Sequence, residues 1–76
     1  MHLDILTPDK TLFTGEVDSI TVPGSKGQFQ ILNNHAALVS SLDKGKVKVK
    51  SGNDEQVFEI KGGVVEVLKN KIVILA

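Results

Sequence analysis

The chain contains no cysteine, which excludes disulfide staples, thiol redox chemistry and thiolate metal sites together. It has no surplus of either charge: nine lysines offset nine acidic residues, giving a formal net charge of zero and a pI near 6.7. A nucleic-acid-binding domain is expected to carry a basic patch or stripe, so that class is set aside. No stretch approaches the ~20 apolar residues of a membrane helix, and no signal-peptide pattern opens the sequence. A soluble cytosolic protein, with no direct insertion into a membrane, is the expectation. With 76 residues there is room for one domain, 1–76, and no second core. A domain of that size buries only about 60% of the surface its unfolded chain exposes, so stability must come from the core or from a partner. Apolar residues are abundant, at 41% of the chain, which at zero net charge favours collapse over disorder.

Period-two alternation runs through most of the sequence, and no window carries an amphipathic helix. His2-Leu3-Asp4-Ile5-Leu6 places Leu3 and Ile5 on one face and stops at Thr7-Pro8-Asp9. Leu12 to Val17 is a weaker strand, whose Gly15 suggests a bulge or a close backbone approach. Asp18 to Val22 resumes alternation, with Ile20 and Val22 facing inward. Pro23-Gly24 suits the two centre positions of a type II turn, and Gly27 allows a second reversal before the strand from Gln28 to Leu32. Asn33-Asn34 marks the next break, and Ala36 to Leu42 is taken as a strand because its surroundings are β.

The clearest hairpin runs from Gly45 to Lys61. A four-residue loop, Ser51 to Asp54, sets Lys50 opposite Glu55, Val49 opposite Gln56, Val47 opposite Phe58 and Lys46 opposite Glu59. Gly62-Gly63 then interrupts, Val64 to Leu68 forms a strand, Lys69-Asn70-Lys71 turns, and Ile72 to Leu75 is an apolar run expected to be covered on both sides. Eight to ten short strands with regular turn signals predict an all-β fold: an antiparallel β-sandwich or flattened barrel of two sheets.

Candidate chemistry is scarce. His2 and His35 have no neighbouring ligands at metal spacing, so no metal site is expected. Ser19, Ser40 and Ser41 lack a nucleophile setting, and Gly24-x-x-Gly27 lacks the lysine-serine ending and following helix of a phosphate loop. No catalytic residue and no cofactor are expected. Lys44, Lys46, Lys48 and Lys50 alternate along one face, but Glu55 and Glu59 oppose two of them, which favours a solvated, charge-paired face over an anion site. The exposed tip, Gly24 to Gln28 leading into a rigid strand, is a plausible contact surface, and His35 is either a turn-bonding histidine or a contact residue beside that tip.

Two resemblances follow. Leu42-Asp43-Lys44-Gly45 is similar to the lysine turn of lipoyl and biotinyl carrier domains, which implies a swinging-arm carrier modified on Lys44. The more extensive one rests on His2-Leu3-Asp4-Ile5, Leu12-Phe13-x-Gly15-x-Val17, Pro23-Gly24-Ser25-x-Gly27-x-Phe29-x-Ile31, His35-Ala36, Gly62-Gly63-x-x-Glu66-Val67 and the final Val73-Ile74-Leu75-Ala76. These pieces, in this order and spanning the chain, resemble the amino-terminal β-sandwich domain of the epsilon subunit of bacterial rotary ATP synthase.

That resemblance implies a non-catalytic rotor subunit of the central stalk, seated between the gamma subunit and the c-ring, peripheral at the cytoplasmic face of the bacterial plasma membrane and monomeric when isolated. By matching position it implies a c-ring surface at Ser25, Lys26, Gly27, Gln28 and Phe29, and a gamma surface at Thr7, His35, Ala36 and Ser40. Relatives commonly carry acidic residues where this chain has Lys26 and Gln28, and a Pro-Gly before the histidine where it has Asn33 and Asn34. The sequence here has none of the two-helix arm that follows the domain in typical relatives, so no inhibition of ATP hydrolysis and no nucleotide site are expected.

Overall fold

A computed structural model describes every residue from Met1 to Ala76. There are nine strands and no helix: β1 His2–Leu6, β2 Thr11–Glu16, β3 Ser19–Gly24, β4 Gly27–Leu32, β5 Leu38–Leu42, β6 Gly45–Ser51, β7 Asp54–Ile60, β8 Gly63–Leu68 and β9 Lys71–Leu75. One continuous sheet, ordered β2-β1-β9-β8-β5-β3-β6-β7 with β4 on the free side of β3, curls upon itself. The two layers meet at a single pairing, Gly24 with Leu42.

Alternation explains the core. Leu3 and Ile5 of β1, Ile72 and Ile74 of β9, and Val65 and Val67 of β8 point inward from one layer. Ile20, Val22, Ile31, Val47 and Val49 answer them from the other. Fourteen hydrophobic residues are buried and no polar or charged residue is. Phe13 and Phe58 close the side where β2 lies over β7, with ring centroids 5.8 Å apart in an edge-to-face arrangement.

The β6–β7 hairpin has the register set by its alternating lysines and valines: Lys50 pairs with Glu55, Val49 with Gln56, Val47 with Phe58 and Lys46 with Glu59. Its loop is shorter than expected. Ser51 pairs with Asp54, leaving Gly52-Asn53 as a two-residue turn with Gly52 at φ 60°. The facing lysines and glutamates do not close into ion pairs; those that form all lie at Met1 and His2.

Several local expectations are corrected. Pro23-Gly24 is not a turn: both residues belong to β3, pairing with Gln28 and Gly27, and the turn is Ser25-Lys26. Gly24 is required by space and not by a left-handed backbone, since a Cβ there would lie 2.7 Å from the Gly27 carbonyl oxygen and 2.7 Å from the Phe29 ring. Gly15 pairs in register with Leu3, and the bulge falls at Leu12, the extra residue between the Ile5–Phe13 and Leu6–Thr11 pairs. The pairing is antiparallel except where β1 runs parallel to β9, because strands at opposite ends of the chain meet without a connecting turn. Ile72 to Leu75 is not covered on both sides: Ile72 and Ile74 are buried, while Leu75 is 54% exposed.

Candidate functional site

The β3–β4 hairpin builds the tip. Gly24 and Gly27 close the ladder, Gly27 takes a φ of 125°, and Ser25 and Lys26 form the exposed turn. The turn is anchored to β5 by Ser25 N donating to the Ser41 carbonyl at 3.1 Å and by a 2.8 Å hydrogen bond between the Ser25 and Ser41 hydroxyls. A groove of 540 Å³ runs from Ser25–Phe29 across to Leu38, Ser40 and Ser41. The structure thus gathers Ser25, Lys26, Gly27, Gln28 and Phe29 in one hairpin and adds Ser40 to the same groove.

The other sequence-derived residues lie elsewhere. Thr7 follows β1 where Leu6 pairs with Leu75, whereas His35 follows the Asn33-Asn34 turn, which is bonded to Asn70 before β9 begins. These are opposite ends of the strands, about 16 Å apart by the rise of five residues. The Thr7 hydroxyl is engaged within its own turn, donating to the Lys10 carbonyl and accepting from the Lys10 amide, both at 3.0 Å. His35 is half-buried, and its Nδ1 donates to the Ala36 carbonyl at 2.7 Å, which places the proton on Nδ1.

Sequence reasoning missed the outer face of the β1-β9-β8-β5 layer. Leu6, Leu75 and Val64 form one row across β1, β9 and β8, while Val73 and Val39 flank Glu66 in the next. Leu68 lies at the far end. Val39 is 69% exposed, Leu68 59% and Val64 38%. This strip runs from the Thr7 end of the layer to the Ala36 end. The signal was present in the unbroken Ile72–Leu75 run, which carries more apolar residues than one buried face needs.

Beside this strip lies a polar network. Thr14 Oγ1 donates to Asp4 Oδ1 at 2.6 Å, His2 Nε2 lies 3.0 Å from the same oxygen, and His2 Nδ1 lies 3.3 Å from Glu16 Oε2. Asp4 is held below the ordinary carboxylate range chiefly by the Thr14 hydroxyl, with His2 and Lys71 adding to the effect against a desolvation that opposes it. No group of three or more histidine, cysteine or acidic side chains is arranged to hold a metal ion. Lys44 is exposed in the crossover from β5 to β6, strands that do not pair. It is therefore not the hairpin-tip lysine a carrier domain presents.

A rigid all-β scaffold with a projecting tip, a bordering groove and an uncovered apolar strip defines a small interaction module. Its relatives specify which. The whole chain, residues 1–76, matches the family described as ATP synthase, Delta/Epsilon chain, beta-sandwich domain, and the protein belongs to that family. It is 42% identical over 76 residues to the ATP synthase epsilon chain of Caulobacter vibrioides, covering all of this chain and 88% of the relative. It is 46% identical over 74 residues to that of Chlorobaculum tepidum, covering 96% and 84%. Against the epsilon chain of Leptospira interrogans it is 44% identical over 75 residues, but spans only 59% of that relative.

Among solved structures, a chain in the Euglena gracilis mitochondrial ATP synthase assembly of OSCP, F1 and c-ring superposes with a TM-score of 0.91 at 25% identity. That match covers 97% of this chain and 48% of the Euglena one. A chain of the Tetrahymena thermophila mitochondrial ATP synthase central stalk and c-ring shares the fold at a TM-score of 0.83 and 23% identity. The epsilon chain is a structural subunit of the ATP synthase complex and is not itself catalytic.

Proposed function

We propose that this protein is a rotor subunit of the ATP synthase central stalk, peripheral at the cytoplasmic face of a bacterial plasma membrane. In this reading it joins the gamma subunit to the membrane c-ring and couples proton translocation to ATP synthesis. The observation that carries the reading is the exposed apolar strip of Val39, Val64, Leu68 and Leu75, with the half-buried Leu6 beside it, none of them part of the buried core. Exposed apolar residues gathered on one face in this way, here around Glu66, mark an interaction surface. In the proposed seating it packs on gamma, with Thr7 and His35-Ala36 at its two ends. The tip Ser25-Lys26-Gly27-Gln28-Phe29 faces the polar loops of the c-ring, and Ser40 opens on the groove beside the tip.

Torque transfer requires stiffness between the two surfaces. The six-residue β4 links the tip to the Asn33–His35 turn, and β3 pairs with it along its whole length. The test is co-purification of the protein with gamma and the c-ring from membranes of the source organism. Both partners are expected, and recovery of neither overturns the reading. In reconstituted enzyme, its removal is expected to impair assembly or coupling.

A further inference from the structure

The open edges of the sheet are not equally protected. Of the four, β2 carries a bulge and Glu16, and β7 carries Asp54, Glu55 and Glu59. These two close on each other through Phe13 against Phe58, and beside them Ser51 of β6 donates its hydroxyl to the Glu16 carbonyl at 3.2 Å. The β4 edge, Gly27-Gln28-Phe29-Gln30-Ile31-Leu32, has no charge, no proline and no bulge. Its neighbour across the groove, β5, is Leu38-Val39-Ser40-Ser41-Leu42, also uncharged. Natural sheets blunt exposed edges with charge, proline or bulges, and both strands bordering this groove lack all three.

Which β4 groups are free follows from the ladder. Ser25 N donates to the Ser41 carbonyl and Asp43 N donates to the Pro23 carbonyl, so Pro23 and Ser25 direct their backbone polar groups toward β5. Alternation then directs Gly24, Val22 and Ile20 toward β4, where they bond Gly27, Phe29 and Ile31. The amides of Gln28, Gln30 and Leu32 and the carbonyls of Gln28 and Gln30 consequently point out of the sheet, while the Leu32 carbonyl accepts the His35 amide at 3.3 Å. The same alternation explains how Pro23, with no N–H, is accommodated opposite Gln28.

We infer that the β4 edge receives an extended segment of a partner polypeptide, added as a further strand through the backbone of Gln28, Gln30 and Leu32. This mode draws affinity from main-chain hydrogen bonds and specificity from alternate side chains. The groove constrains those side chains. Phe29 and Leu38 offer apolar contact, and Lys26 is the only lysine or carboxylate between Pro23 and Leu42. The fitting occupant is a strand with small apolar groups toward the groove and a single charge, a carboxylate at its Lys26 end. The inference rests on the assembly reading only in supposing that a rotor partner lies beside the tip.

Residue-resolved amide exchange on the isolated protein and on the assembled enzyme tests it. Exchange at Gln28, Gln30 and Leu32 is expected to slow by about tenfold, the worth of one net backbone hydrogen bond, while Phe29 and Ile31 change little. Gln30→Pro removes an outward N–H that the β3 ladder does not use, so it should fold yet lose the alternating protection and weaken assembly. Gln30→Ala should retain both. Wild-type protein that assembles with uniform or absent protection overturns the added strand alone. Equal loss in Gln30→Pro and Gln30→Ala points to a side-chain contact and also overturns it. A dimer of the isolated chain protected at the same three amides assigns the edge to a second copy. Failure of the wild type to assemble removes the functional reading and this inference with it.

Discussion

Asn34 and Asn70, thirty-six positions apart, are joined by two hydrogen bonds: the Asn34 amide donates to Asn70 Oδ1 at 2.9 Å, and Asn70 Nδ2 donates to Asn34 Oδ1 at 3.3 Å. The pair ties the turn after β4 to the turn before β9, and the Asn70 carbonyl accepts the His2 amide at 2.8 Å. One residue therefore holds three segments at the end of the domain where His35 lies.

Asn70→Ala removes both side-chain bonds and leaves the carbonyl in place. At about 0.5–1.5 kcal/mol for each net hydrogen bond, less where exposed, the loss should be near 1 kcal/mol in urea unfolding. Asn34 sits at φ 62°, so Asn34→Gly should be milder than Asn34→Ala, which adds left-handed strain of about 1 kcal/mol. Equal midpoints for the two Asn34 variants would contradict the backbone half of this account.

Gly52 and Gly63 separate conformation from space. Both have positive φ, 60° and 143°, but a Cβ on Gly52 meets nothing within 4 Å, whereas one on Gly63 collides with the Leu75 carbonyl. Gly52→Ala should cost about 1 kcal/mol. Gly63→Ala bears strain of about 1–3 kcal/mol and the collision in addition, a large share of the ~4–11 kcal/mol expected for a domain of this length. Thermal melts should rank Gly63→Ala well below Gly52→Ala, and matching melting temperatures would refute the close packing of β8 on β9.

Much of this was legible because it is local. The β6–β7 register follows from lysines and valines alternating against glutamates and Phe58, a pattern that a one-residue slip would invert. The tip was legible for the same reason, since five contiguous residues in one hairpin cannot be scattered. What escaped depends on distant partners. Nothing within Pro23-Gly24 shows that Phe29 needs the space of a Cβ. The parallel meeting of β1 and β9 has no turn to announce it. Thr7 and His35, grouped as one surface by resemblance, fall at opposite ends of the layer, and only the strand register shows that the apolar strip lies between them.

The Asp4 network gives the domain a pH dependence of definite sign. Its carboxyl titrates below the ordinary range when folded, principally because Thr14 donates to it. The stabilisation is fully present above the ordinary carboxylate value, near pH 4, and is lost as pH falls through the lower folded value. Thr14→Val should raise the Asp4 titration point, read by carboxyl carbon NMR, and flatten the acid limb of the stability curve. An unchanged Asp4 titration in that variant would remove the hydroxyl as the main cause.

Ile74 and Leu75 are neighbours in β9 with opposite duties, which makes them a sharp test of the partner surface. Ile74 is fully buried, and Ile74→Ala should cost about 2–5 kcal/mol from lost transfer and the cavity left behind. Leu75 is 54% and Leu68 59% exposed on the outer strip. Serine at both should shift the unfolding midpoint by no more than the ~0.5 kcal/mol typical of each surface substitution, yet weaken capture of gamma by about tenfold or more, as for truncated interface anchors. The two readouts must dissociate. A stability loss comparable to that of Ile74→Ala would make the strip part of the fold's own core, and undiminished capture of gamma would move that partner to another face. Only intact folding with failed capture fits a surface that the isolated domain leaves for something else to cover.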